Sequence, residues 1–132
     1  MNRVVHFEVQ ADDIERAKDF YQKTFGWEIN QVMKKEEGGM MDYWMIVTGK
    51  NEPGINGGLY QRPAEEVDKY YLYDCTISVK DIDQAIADIK ANGGTITREK
   101  SELKGVGWFA SAKDTEGNRL GLMQPTDWKP ME

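Results

Sequence analysis

The chain has 132 residues, the size of a single domain, and carries 17 Lys and Arg against 23 Asp and Glu for a formal net charge of −6. Neither end carries a basic run, so the electrostatic footprint of a nucleic-acid or anionic-membrane binder is missing. A lone cysteine, Cys75, rules out an intrachain disulfide and a structural zinc set, and reads as a small core residue in a reducing compartment.

The first residues enter a strand pattern with charges in it, not an apolar leader, and no run approaches the roughly eighteen apolar residues of a membrane span. A cytoplasmic protein is expected. From Val4 to Gln10 the chain alternates, with Val5, Phe7 and Val9 on one face and His6, Glu8 and Gln10 on the other. Asp12 or Asp13 then caps a helix whose apolar side is Ile14, Ala17, Tyr21 and Phe25, and Gly26 ends it. Strand-like runs follow at 27–33, 42–48 and 55–61, separated by turn-rich stretches around Gly38-Gly39 and Asn51-Glu52-Pro53-Gly54. This order is βαβββ.

A charged linker, Arg62 to Lys69, leads to a second statement of the same grammar. Asp74, Thr76 and Ser78 alternate with Cys75, Ile77 and Val79, and Asp81 starts a helix with Ile82, Ala85, Ile86 and Ile89 on its apolar side. Runs at 95–100, 106–113 and 119–124 complete a second βαβββ, the last two joined by the turn Asp114 to Asn118. Asp13-Ile14-Glu15-Arg16-Ala17 lies over Asp81-Ile82-Asp83-Gln84-Ala85, and Gly58-Leu59-Tyr60-Gln61 over Gly121-Leu122-Met123-Gln124. The expected fold is therefore α+β. One domain spanning 1–132, with modules at about 4–61 and 73–125, forms a curved eight-stranded sheet around a cavity, its helices outside.

If the apolar faces of both first strands pack under the helices, their polar faces line the hollow. The offset that superposes the helices pairs His6 with Asp74 and Glu8 with Thr76. Alternation in the last strand of each module adds Asn56, Gly58 and Tyr60, and then Arg119, Gly121 and Met123. His6, Glu8 and Asp74 are the candidate acid/base groups, and Asn56, Gly58, Tyr60, Thr76, Trp108, Gly121 and Met123 the candidate ligand contacts. Plainer readings stand beside these: His6 as a satisfied wall residue, Glu8 as a solvated one, and Tyr43, Trp44, Tyr60 and Trp108 as core aromatics. With one histidine, and Cys75 on the strand face away from Asp74, no nucleophile triad assembles.

The segments VVHFEVQADDIERAKDFYQKTFGW, TISVKDIDQAIADIKANGGTI and KDTEGNRLGLMQP resemble the two modules of the glyoxalase I, bleomycin-resistance and extradiol dioxygenase superfamily, also called the vicinal oxygen chelate superfamily. Thr115 replaces the proline of that family's Asp-Pro-x-Gly-Asn turn. The resemblance implies metal ligands from the first and fourth strands of each module, and transferred here those positions are His6, Gly58, Asp74 and Gly121. Two glycines offer no donor, so no tightly held metal or other cofactor is expected, and the same glycines are expected to leave room for a ligand. The functional expectation is a binder of a small organic molecule. Its alternative is a lyase or isomerase related to glyoxalase I, or a dioxygenase-like enzyme, with an atypical metal site. The resemblance also implies a homodimer.

Overall fold

The computed structural model describes residues 1–126. In chain order the elements are β1 (Arg3–Ala11), α1 (Ile14–Phe25), β2 (Glu28–Met33), β3 (Tyr43–Val47), β4 (Gly57–Gln61), β5 (Asp74–Ser78), α2 (Ile82–Ala91), β6 (Thr95–Leu103), β7 (Gly107–Lys113) and β8 (Arg119–Pro125). Eight strands and two helices in two βαβββ modules confirm the α+β class. Short 3-10 turns at Lys35–Glu37 and Glu66–Asp68 were not foreseen.

The chain divides into two compact units, His6–Tyr73 and Met1–Val5 with the chain from Asp74 onward. The strands of the first module run in the order β2-β3-β4-β1, with β1 parallel to β4 and the other neighbours antiparallel. Those of the second run β5-β8-β7-β6 on the same plan.

Each helix starts where the acidic cap predicts. The Asp13 carboxylate accepts from the Arg16 N–H at 3.0 Å and that of Asp81 from Gln84 N–H at 3.1 Å, each occupying a backbone donor that the first helical turn leaves open. Gly26 ends α1 at φ 72°, a left-handed conformation that costs a residue with a Cβ. Under α1 the buried faces of the strands supply Phe7, Val9, Ile29, Ile46 and Leu59, against which Ile14, Ala17, Tyr21, Trp27 and Trp44 pack. Under α2 they supply Val79, Ala110 and Leu122, joined by Ile82 and flanked by Ile77, Ile86, Ile89 and Trp108. Burial of each such aliphatic side chain contributes about 1.5–3 kcal/mol, and alternation leaves the polar residues of β1 and β5 on the opposite face. No helix among the described residues is long and apolar enough to cross a membrane.

Candidate functional site

The polar face of the first module is built on β1. Because Phe7, Val9 and Ala11 are buried, His6, Glu8 and Gln10 project from the other side. In register with them, Glu8 lies beside Gly58 and Gln10 beside Tyr60 on β4, and Gly58 in turn lies beside Met45 on β3.

Tyr43, on β3, is two strands away from β1, about 9.5 Å at ordinary strand spacing. Its ring crosses that gap by lying over Gly58, where a Cβ would collide with the phenol oxygen and ring. The room expected beside Gly58 is therefore filled by a tyrosine from the neighbouring strand. The Tyr43 hydroxyl lies 2.8 Å from His6 Nε2, and the Glu8 carboxylate acts on it electrostatically. Burial pushes the imidazole pKa below its ordinary value of 6.5. The phenol is driven far above its ordinary range, first by burial, then by the Glu8 carboxylate, then by Tyr60. At neutral pH the pair is a neutral imidazole against a neutral phenol.

Beyond it the network turns structural. Tyr60 stacks near Tyr43 with ring centroids 6.3 Å apart, and its hydroxyl is held by Gln10 Nε2 at 2.9 Å and by the Tyr70 hydroxyl at 2.8 Å. Gln10 Nε2 also donates to the Asp68 carbonyl, and its Oε1 accepts from the Tyr70 N–H at 2.8 Å. Arg62 completes the clamp through the carbonyls of Gln10 and Tyr70 and the Asp12 carboxylate. Gln10 thus fastens the intermodule linker to the sheet. Asn56 stands apart, exposed before β4, where its side-chain oxygen accepts from the Thr48 N–H at 3.0 Å.

The second module places Asp74, Thr76 and Ser78 on the polar face of β5, all buried. Asp74 is ion-paired with Arg119, whose Nε donates to Oδ2 at 3.0 Å while Nη2 donates to Ser111 Oγ at 3.2 Å. Thr76 lies beside Gly121, where a Cβ would approach Thr76 Oγ1 to 2.9 Å, and Met123 is in register with Ser78. Trp108 is on the other side. With Ala110 it faces the core under α2, and Lys100 Nζ lies 4.8 Å over its ring. Phe109 and Ser111 are the β7 residues on the face of Asp74.

Two residues that matter here carried only weak signals. Tyr43 read as a core aromatic, and Arg119 shared a face with Gly121 without a named partner. A fit test of the metal positions follows from these contacts. In the first module His6 Nε2 is engaged by Tyr43 and Gly58 has no donor; in the second Asp74 is held by a guanidinium and Gly121 has no donor. No three His, Cys, Asp or Glu side chains among the described residues are grouped to share an ion, so the set does not fit a tight divalent centre. A cleft of about 470 Å³ opens beside α1, lined by Asp12, Arg16, Phe20, Tyr21 and Arg62, on the helix side of the module and away from His6.

Residues 3–122 match the profile of the Glyoxalase/Bleomycin resistance protein/Dioxygenase superfamily. Lactoylglutathione lyase of Escherichia coli O157:H7 is 26% identical over 130 residues, covering 95% of this chain and 94% of its own. A probable lactoylglutathione lyase of Vibrio cholerae is 26% identical over 128 residues, covering 93% and 91%. Among solved structures, Streptomyces coelicolor methylmalonyl-CoA epimerase in complex with 2-nitronate-propionyl-CoA superposes with a TM-score of 0.69 at 17% identity, covering 99% of both chains. That of Mycobacterium tuberculosis does so with a TM-score of 0.63 at 13% identity, covering 94% and 88%. The polar faces and the repeated modules are those of a known scaffold: the chain belongs to the Glyoxalase/Bleomycin resistance protein/Dioxygenase superfamily.

Proposed function

We propose that this chain binds a small organic molecule through the polar face of its first module, with His6, Glu8 and Tyr43 as the recognition set and no tightly held metal. One observation carries the reading: the Tyr43 hydroxyl occupies the space over Gly58, beside His6, where a fourth-strand ligand would stand, and it is bonded to the nitrogen of His6 nearest that space. Half-buried polar groups in a fixed hydrogen-bonded array suit recognition of a ligand's polar atoms, since an array already ordered loses little freedom on binding. The test is elemental analysis of protein purified without added metal, followed by a small-molecule screen read as thermal stabilisation. Far less than one Zn, Ni, Fe or Mn per chain is expected, with melting unchanged by chelator and ligand stabilisation weakened in His6→Ala. Stoichiometric metal that survives dialysis and vanishes in His6→Ala would overturn the reading.

A second reading is favoured by the likeness to proteins named lactoylglutathione lyase along nearly the whole chain. In it His6 and Glu8 act as acid and base on the bound molecule. Turnover to lactoylglutathione that is lost in both His6→Ala and Glu8→Gln would raise it to first place.

A further inference from the structure

The two helices treat their apolar sides differently. α2 seats Ile82 at 1% exposure and leaves no large hydrophobic side chain in the open, whereas α1 has no fully buried residue and leaves Phe20 55% and Phe25 59% exposed. The Phe20 ring is nonetheless held, edge-on to Tyr21 at 5.1 Å and to Phe25 at 6.5 Å between centroids. Beside it lies the cleft of about 470 Å³, with Ala17, Tyr21 and Arg62 in its wall. A projecting ring next to its own socket is a surface that a two-fold axis can close on itself, because a two-fold contact uses the same patch on both partners.

The charges of α1 have the same self-complementarity. Asp13, Arg16, Ala17, Phe20, Lys23 and Thr24 follow one another at helical spacing and form one stripe along the helix. Set antiparallel against its own copy, the stripe places Phe20 over the partner's Ala17, Arg16 over the partner's Phe20 and Lys23 opposite the partner's Asp13, and it does so at both ends at once. Arg16 is exposed and, among the described residues, in no ion pair. Lys23 holds its helix neighbour Asp19 at 3.0 Å with side chains 76% and 61% exposed, a bond worth little in water and readily shared with a second carboxylate. Because the stripe carries charges of both signs in inverted order, it fits its own copy better than an acidic or a basic partner.

We infer that this stripe is the interface of a homodimer in which two copies of the chain pack α1 against α1 antiparallel, each Phe20 entering the cleft of the other. The contact lies on the helix side of the first module, away from His6, so it stands apart from the function proposed for that face.

Sedimentation equilibrium of the full chain over a dilution series tests the assembly. The wild type is expected to reach twice the protomer mass by roughly tens of micromolar, with the mass falling on dilution. Phe20→Asp should weaken dimerisation more than about tenfold, as loss of an interface anchor does. Lys23→Glu sets like charges against Asp13 at both ends and should weaken it severalfold. Lys23 is exposed and makes no core contact, so this variant decides the matter even if Phe20→Asp fails to fold. Val106→Asp, at a 45% exposed position in the second module, should leave the mass unchanged. A wild type that stays a monomer throughout would give the face to a different partner and overturn the inference. A dimer that Lys23→Glu leaves intact, or that Val106→Asp dissolves equally, would overturn it too.

Discussion

The polar faces of the two modules occupy equivalent positions and hold opposite chemistry. In the first, His6 on β1 is held by Tyr43, which lies over Gly58. In the second, Asp74 on β5 is locked to Arg119, and Thr76 lies beside Gly121. One face holds a neutral imidazole against a neutral phenol; the other is a buried pair of full charges. The same strand register occurs twice, and the side chains on it differ.

The largest effect expected from that difference is in the second module. Asp74→Ala removes the carboxylate that accepts from Arg119 Nε, whose side chain is only 16% exposed. Breaking a buried pair from one side costs about 3–5 kcal/mol. Urea unfolding should register that loss, and the double variant Asp74→Leu with Arg119→Met should recover most of it. A loss below about 1 kcal/mol in Asp74→Ala would mean that the pair is solvated and the contrast between the faces is false.

An intermediate effect separates the two glycines. A methyl at Gly58 meets the Tyr43 hydroxyl and ring, and the hydroxyl is tied to His6. Gly58→Ala should cost about 1–3 kcal/mol, as overpacked sites do, and should loosen the His6–Tyr43 contact. At Gly121 the obstacle is Thr76 Oγ1, the tip of a side chain that can change rotamer. Gly121→Ala should cost about 1 kcal/mol or less. Equal losses at the two sites, measured by the same unfolding curves, would remove the claim that Tyr43 is the tighter fit.

Particular residues explain what was legible in advance. Asp13, Asp81 and Gly26 act through the local backbone, and alternation in β1 and β5 is forced by the apolar side, so caps, strands and the face of His6, Glu8, Asp74 and Thr76 could be read directly. Tyr43 could not. Its role depends on β3, β4 and β1 lying side by side in one register, a nonlocal fact with no mark in the segment around residue 43. The Asp74–Arg119 pair has the same origin in the parallel pairing of β5 with β8. Trp108 is different, because Ala110 and Ala112 share its parity and face the core, so alternation along β7 already placed it under α2.

The smallest expected effect is a slope, and it belongs to the first face alone. Burial lowers the His6 pKa below 6.5, so between the folded-state value and 6.5 the unfolded chain binds a proton that the folded chain refuses. Stability must then fall as pH drops through that window and be independent of this group above it. Since no other histidine exists, the slope between pH 7 and 5 should shrink in His6→Gln, a variant with no imidazole. Tyr43→Phe should shrink it too, though less. With the hydroxyl gone, both ring nitrogens are freed and the ring sits less deeply desolvated, which lifts the folded-state pKa back toward 6.5. Identical pH profiles for the wild type and His6→Gln would show that the imidazole protonates as readily in the folded chain as in the unfolded one, and the first face would then be a solvated surface with no hold on its only histidine.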